Sequence, residues 1–447
     1  MNTSHTQARP QWRGENWKRP FFTIWGGQAL SLLGSSIAMF ALIWWITDET
    51  GSATVLAIAS LFSMLPGVIL GPFAGVLVDR WNRRVIMIAA DSVIALASLL
   101  LAYLFWVGDV QVWHIYTVMF IRALGSMFHT PAMFSSTALM VPEEHLARVS
   151  GLNQAIQGGL SIVGPALGAL LLTVLNIYAI LLLDVVTAAF AVGPLLFIAI
   201  PQPEASAAPN GAGKASVWGD FRAALAYLRR WRGLMLLTGV GLVAKLALTP
   251  AASLIPILVT QHFNGGAGAM ATGEALLGIG VISGGLLLGV WGGFERSAYT
   301  IISGIMLMAL SMLALGVLPA QAFSVAAGML FVTGAAVALI DGPFMAVMQK
   351  AIAPEMHGRV FMLFNSLISL SSPVGLAIAG PFTDFAGIQT LYLIAGLLMG
   401  GMGLAIRFTP AIMHLEDHTQ ANDSAPEGVQ ATLPESDTAL PAPVQSR

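Results

Sequence analysis

The stretch PAMFSSTALMVPEEHLARV (residues 131–149) returns later in the chain as PFMAVMQKAIAPEMHGRV (residues 343–360). The leading prolines, Pro131 and Pro343, are 212 residues apart, and so are Pro142 and Pro354; Arg148 and Arg359 are 211 apart. A proline, ten residues, then Pro-Glu and a nearby Arg-Val is too specific a pattern to recur by chance at one offset. The chain is therefore read as a duplication. Each copy closes a long apolar run, so the repeat implies two helical halves in parallel orientation, related by an axis along a membrane normal.

Composition supports a membrane setting. Of 447 residues, 56% are hydrophobic and 9% charged, against about 25% charged in soluble domains. Mean hydropathy is +0.79. A soluble enzyme and a disordered chain are excluded, and a net charge of −2 gives no footprint for a nucleic-acid partner. With no cysteine there is no disulfide, thiolate metal site or cysteine nucleophile. Neither a Walker A loop nor an H-E-x-x-H cluster occurs, so no enzyme activity, ATP drive, metal or cofactor is expected.

About 20 apolar residues cross the ~30 Å hydrocarbon layer as a helix. Twelve such spans are read: 21–47, 54–78, 85–107, 113–139, 150–174, 177–200, 233–259, 274–294, 298–318, 322–349, 359–383 and 389–409. The expected fold is an all-α integral membrane protein with twelve transmembrane helices in two six-helix pseudo-symmetric halves. A tail (1–20) precedes the first bundle (21–200). A linker (201–232) carries an amphipathic helix, with Phe221, Leu225 and Leu228 opposed to Arg222, Arg229, Arg230 and Arg232. The second bundle (233–409) is followed by a polar, disordered tail (410–447). Of the 20 Lys and Arg, 18 fall on one side of this topology and two, Arg122 and Lys245, inside spans. The positive-inside rule then puts both termini in the cytoplasm, and the first span is expected to remain as an anchor rather than a cleaved signal.

Between spans two and three stands GVLVDRWNRR, Gly75 to Arg84. It resembles the loop signature of the major facilitator superfamily, G-x-L-x-D-R-x-G-R-R/K, with Asn82 in place of the loop glycine. Asn82 is expected to keep the turn by adopting left-handed angles. The resemblance implies a cytoplasmic gate of Gly75, Asp79, Arg80, Arg83 and Arg84. Span five contains GLSIVGPALGA, in which Gly164, Pro165 and Gly168 resemble the family's antiporter motif; the leading glycine is displaced to Gly159 and the last is Ala169. GQALSLLGSSIAMFAL, LLLDVVTAAF and GRVFMLFNSLISLSSPVGLAIAGP are similar to the macrolide-efflux branch. The likeness covers about residues 20–410 and implies proton-driven export.

An ionisable group inside a span costs roughly 2.5–3.5 kcal/mol on insertion scales and is a functional candidate by default. Five are read: Asp91, Arg122, Asp184, Lys245 and Asp341. In the family, helices 1, 4, 7 and 10 line the cavity, which makes Arg122, Lys245 and Asp341, with Gln28, cavity candidates and leaves Asp91 and Asp184 as structural partners. Arg122 stands where the family's fourth-helix motif has its arginine. Asp341 is expected to take up and release the coupling proton, at a depth unsuited to direct pairing with either cation. Trp44, Trp45, Met127, Phe128, Phe344 and Met348 are candidates for an apolar substrate pocket. His129 is expected to be a hydrogen-bonded structural histidine.

The function expected is a monomeric secondary transporter of a bacterial inner membrane, exporting amphipathic small molecules such as macrolide-like drugs by proton antiport and alternating access. Its partners are the substrate, protons and the bilayer, and the proton gradient is its energy source. Two intramembrane cations also suit an exporter or flippase of an anionic lipophilic metabolite, such as a siderophore or lysolipid. A transporter-derived sensor or assembly factor is the non-transport alternative.

Overall fold

The computed structural model describes residues 17–202, 222, 225–226, 232–352 and 357–413. The expected linker helix and both tails fall almost wholly outside these residues. Among the described residues there is no strand, and twelve long helices succeed one another. The first six are α1 (Lys18–Thr50), α2 (Ala53–Arg80), α3 (Arg83–Val107), α4 (Val112–Met140), α5 (Glu143–Val174) and α6 (Ile177–Phe197). The second six are α7 (Arg232–Ser253), α8 (Ala267–Trp291), α9 (Ser297–Val317), α10 (Phe323–Ala351), α11 (His357–Ala386) and α12 (Ile388–Arg407).

Eleven helices are long and apolar enough to cross a membrane. The twelfth, α4, has 29 residues, enough for roughly 43 Å of helix, but His114, Arg122 and His129 reduce its apolarity. Arg122 and His129 are buried against other helices rather than left toward lipid.

Packing repeats with a period of six helices. α1 packs on α5 and α6, α3 on α4 and α6, and α2 on α4; correspondingly α7 packs on α11 and α12, α9 on α10 and α12, and α8 on α10. Two seams join the halves, α2 with α11 and α5 with α8, and the six-helix shift exchanges them. The proline repeat is thus a structural two-fold. One contact departs from it, since α7 touches α12 far less than α1 touches α6. Lipid gives no hydrophobic drive for helix association, so small residues set the close approaches. A Cβ on Gly34 would lie 2.0 Å from Thr187 Oγ1 of α6, and one on Gly334 would lie 2.0 Å from the Leu277 carbonyl oxygen of α8.

Three boundaries differ from the sequence expectation by six or seven residues. α7 stops at Ser253, and the chain continues as a short turn (Ile255–Ile257) and a π-turn (Leu258–His262), because Pro256 cannot donate to the helical ladder. α5 starts at Glu143 instead of 150, where Glu143 and Glu144 suit the positive end of the helix. α8 starts at Ala267, which moves Glu274 from the edge of a span to its interior.

Candidate functional site

Polar side chains of the first half collect in two tiers. Along α1, α3 and α4 the members are seven residues apart (Gln28 and Ser35, Asp91 and Ser98, His129 and Arg122), so the tiers stand about 10.5 Å apart. In the upper tier Arg122 Nη1 donates to Asp184 Oδ2 at 2.5 Å and to Ser98 Oγ at 2.7 Å, while Nη2 donates to the Ser35 carbonyl at 3.3 Å. Ser98 Oγ and Ser35 Oγ donate to the two Asp184 oxygens at 2.8 and 2.9 Å. Arg122 is 4% exposed and Asp184 1%. A buried ion pair needs such added hydrogen bonds to offset the desolvation of its charges.

In the lower tier Gln28 Nε2 donates to Asp91 Oδ2 at 3.0 Å. His129 Nε2 lies 2.8 Å from Gln28 Oε1 and 3.4 Å from Asp91 Oδ1. All three side chains are buried. Both tiers face a cavity of about 480 Å³, lined by Gln28, Ser35, Asp91, Arg122 and His129 and closed on the α5 side by Gln157. Behind it, between α3 and α4, an apolar cleft of about 620 Å³ is lined by Trp81, Val85, Ala89, Ile121 and Phe128.

These positions redistribute the sequence candidates. Asp184 meets Arg122, and Asp91, assigned to structure rather than to the cavity, lines the cavity wall. Phe128 belongs to the apolar cleft, its ring stacked on Trp81 with centroids 6.4 Å apart. Phe344 is core, stacked on Phe364 with centroids 5.2 Å apart, and Met348 is fully buried. Met127 is half-buried and lines neither cavity; Trp45 packs edge-on against Phe105. Lys245 borders a separate cavity of about 280 Å³ with Thr249, Thr333 and Tyr392. Asp341 is exposed, and neither it nor Lys245 has an ion pair among the described residues.

Sequence reading missed Ser35 and Ser98, which look like ordinary small residues of a span. It also missed Glu274, a half-buried carboxylate hidden by starting the eighth span at 274. A Cβ on Gly158 would meet Ile282 and one on Gly278 would meet Ile162, so α5 and α8 run side by side in opposite directions, with Glu274 one turn along α8 from Gly278.

The repeat offset shows what became of the network in the second half. The offset of 212 given by the prolines carries Asp184 to Gly396 and His129 to Asp341, and brings Arg122 to Gly334, next to Thr333, and Ser98 to Leu310, next to Ser311. The buried ion pair is replaced by one neutral contact, Ser311 Oγ to Thr333 Oγ1 at 2.8 Å.

The loop signature resolves in part. The side chains of Asp79 and Arg80 lie outside the described residues, and Gly75 falls within α2. Asn82 has φ −67° and ψ 112°, so the left-handed expectation is wrong. It serves instead as the N-cap of α3, its Oδ1 accepting from the Arg84 N–H at 3.1 Å, a task glycine has no side chain to perform. Arg84 donates through Nη2 to the Leu196 carbonyl at 2.6 Å and through Nε to that of Leu195, so its cation satisfies the C-terminal carbonyls of α6. Arg83 is buried, and its backbone N–H donates to Gln202 Oε1 at 3.2 Å. In α5, Gly164 and Gly168 admit α1: a Cβ on them would lie 2.0 Å from Ser36 Oγ and 2.7 Å from Phe40. Pro165 between them leaves the Ser161 carbonyl without its helical donor.

At the end away from this arginine-rich loop the halves are tied together. Asp384 of α11 accepts from Ser52 Oγ at 2.8 Å, from the Ala53 N–H at 2.7 Å and from the Thr54 N–H at 3.0 Å, so one half caps a helix of the other. Gln261 Nε2 adds a bond to the Gly51 carbonyl, and Gly380 packs directly on Thr54 and Ala57. This end is held shut.

Residues 24–376 match the family described as Major Facilitator Superfamily. Macrolide efflux protein A of Streptococcus pyogenes is 37% identical over 387 residues, covering 86% of this chain and 94% of the relative. Multidrug efflux pump Tap of Mycobacterium tuberculosis is 27% identical over 425 residues, 92% of this chain and 98% of the relative. Among solved structures, the nucleoside transporter NupG superposes with a TM-score of 0.67 at 12% identity, over 88% of this chain and 98% of that one. A bacterial homologue of the human lysosomal transporter Spinster gives 0.63 at 12% identity, over 92% and 99%. These two likenesses are of fold.

Proposed function

The chain belongs to the major facilitator superfamily, and from that premise we propose that it exports amphipathic small molecules, macrolide-like drugs among them, by proton antiport. The observation that carries the reading is the cavity of about 480 Å³, where Asp91, Arg122 and His129 are buried inside a membrane-spanning bundle. Ionisable groups at such depth are costly and mark transport paths. Apolar Leu32, Met39, Ile94, Met119 and Leu160 line the same cavity as these polar groups, which suits a molecule with one polar and one apolar face. The 37% identity to a macrolide efflux protein supports the same substrate class.

The two-fold supports alternating access in which the halves rock about the cavity and the Asp384 cap closes the far end. The arginine bias supports a cytoplasmic position for the arginine-rich end and both termini, and our reading is of a monomer in a bacterial inner membrane. The proton gradient supplies the energy and no cofactor takes part. The anionic-metabolite alternative loses support, because Asp184 occupies Arg122 and leaves one cation in place of two.

Everted membrane vesicles energised by respiration test the reading with a panel of radiolabelled erythromycin, other cationic amphipaths and a lysolipid. Accumulation of erythromycin that collapses on adding a proton uncoupler is expected. Accumulation unaffected by the uncoupler, or transport of the lysolipid alone, would refute it.

A further inference from the structure

The lower tier is built around one ring nitrogen. Gln28 Nε2 is committed to Asp91, so the amide presents Oε1 to His129 Nε2, 2.8 Å away. An amide in that orientation makes Nε2 the protonated nitrogen of the neutral ring and leaves the lone pair on Nδ1. Nδ1 makes no hydrogen bond among the described residues, and the ring lines the cavity. The charged groups around it are few. α3 presents Asp91, α4 presents Arg122 two turns away, and α6 presents Asp184 behind Arg122. From α1, α2 and α5 come neutral groups, chiefly Gln28, Ser63 and Gln157.

We infer that the His129–Asp91 pair is the site of the transported proton, with His129 Nδ1 the atom that takes it, and that a monovalent organic cation replaces that proton beside Asp91. The assignment rests on the antiport reading above. Arg122 and Asp184 cancel, so the cavity carries the charge of Asp91 alone when the imidazole is neutral. One proton on Nδ1 gives an imidazolium–carboxylate pair of net charge zero. One cationic amphipath beside Asp91, with the ring neutral, gives the same total. The empty, deprotonated cavity leaves a carboxylate uncompensated inside the membrane domain, which is the costly state. Each occupant therefore leaves as the other arrives, one proton for one cation. At the repeat position of His129 the second half has Asp341, exposed and with no paired cation among the described residues, so it offers no such exchange.

The test is proton release on erythromycin binding to the full-length protein in weakly buffered detergent near pH 6.5, read with a pH dye. Wild type and Asp341→Asn are expected to release about one proton per erythromycin bound, and His129→Gln none. His129→Gln keeps a hydrogen-bonding group next to Gln28. Release that persists in His129→Gln, or that vanishes in Asp341→Asn alone, overturns the assignment while leaving antiport intact. Failure of wild type to accumulate erythromycin in everted vesicles removes the antiport reading and this assignment with it.

Discussion

The two halves share one helix plan and differ in what fills it. In the first half α1, α3, α4 and α6 are joined by Arg122, Asp184, Ser98 and Ser35 around a polar cavity. In the second half the matching helices are joined by small residues and one hydroxyl pair: Gly316 and Gly396 bring α9 and α12 together, Gly280 and Gly334 bring α8 and α10 together, and Ser311 meets Thr333. Duplication preserved the scaffold, whereas the buried charge pairs stand on one side of it. Hydrogen-bonded charges fix geometry and respond to protons, while backbone-to-backbone packing fixes geometry and responds to nothing chemical. In the proposed antiport, the half that holds the paired charges is the one that answers to the proton.

Four substitutions, some with a companion variant, probe that contrast. Removing the cation alone, by Arg122→Met, leaves Asp184 buried and unpaired, and should cost about 3–5 kcal/mol, read as a lowered melting temperature in detergent. Arg122→Met with Asp184→Leu should recover most of that loss; no recovery would mean that the pair is not the source of the cost. Next in size, Gly334→Ala forces a Cβ against the Leu277 carbonyl and should cost about 1–3 kcal/mol. Gly67→Ala in α2, with nothing within 4 Å, is the matched control and should be neutral or slightly stabilising. Asp384→Ala removes the cap between the halves, worth about 1 kcal/mol, and should raise the alkylation rate of a Thr54→Cys reporter roughly fivefold. The natural absence of cysteine gives that reporter a clean background. Smallest, Thr333→Val removes a neutral hydrogen bond and should cost about 1 kcal/mol or less in the same melting assay. A cost equal to that of Arg122→Met would erase the contrast between the halves.

The sequence already carried the scaffold, because apolar runs of about 20 residues and the 212-residue proline spacing are local and periodic signals. Arg122 and Asp91 stood out for the same reason: a charge inside an apolar run is visible without a fold. Their partners were not visible. Ser98 and Asp184 are 86 residues apart and Gln28 and Asp91 63 apart, and only the packing of α1, α3 and α6 brings them together. Asn82 shows the other limit, since asparagine serves both left-handed turns and helix N-caps and the residue type does not choose between them. Asp384 reads as a polar residue near the end of a span until α2 of the other half is set against it.

The division between the halves is tested most directly in proteoliposomes, where gradient-driven accumulation of radiolabelled erythromycin and gradient-free exchange are measured on the same preparation. His129→Gln is predicted to lose accumulation while retaining exchange, because Asp91 still receives the cation and only the proton site is gone. Asp341→Asn is predicted to keep both. Loss of accumulation in Asp341→Asn with full accumulation in His129→Gln would contradict the account.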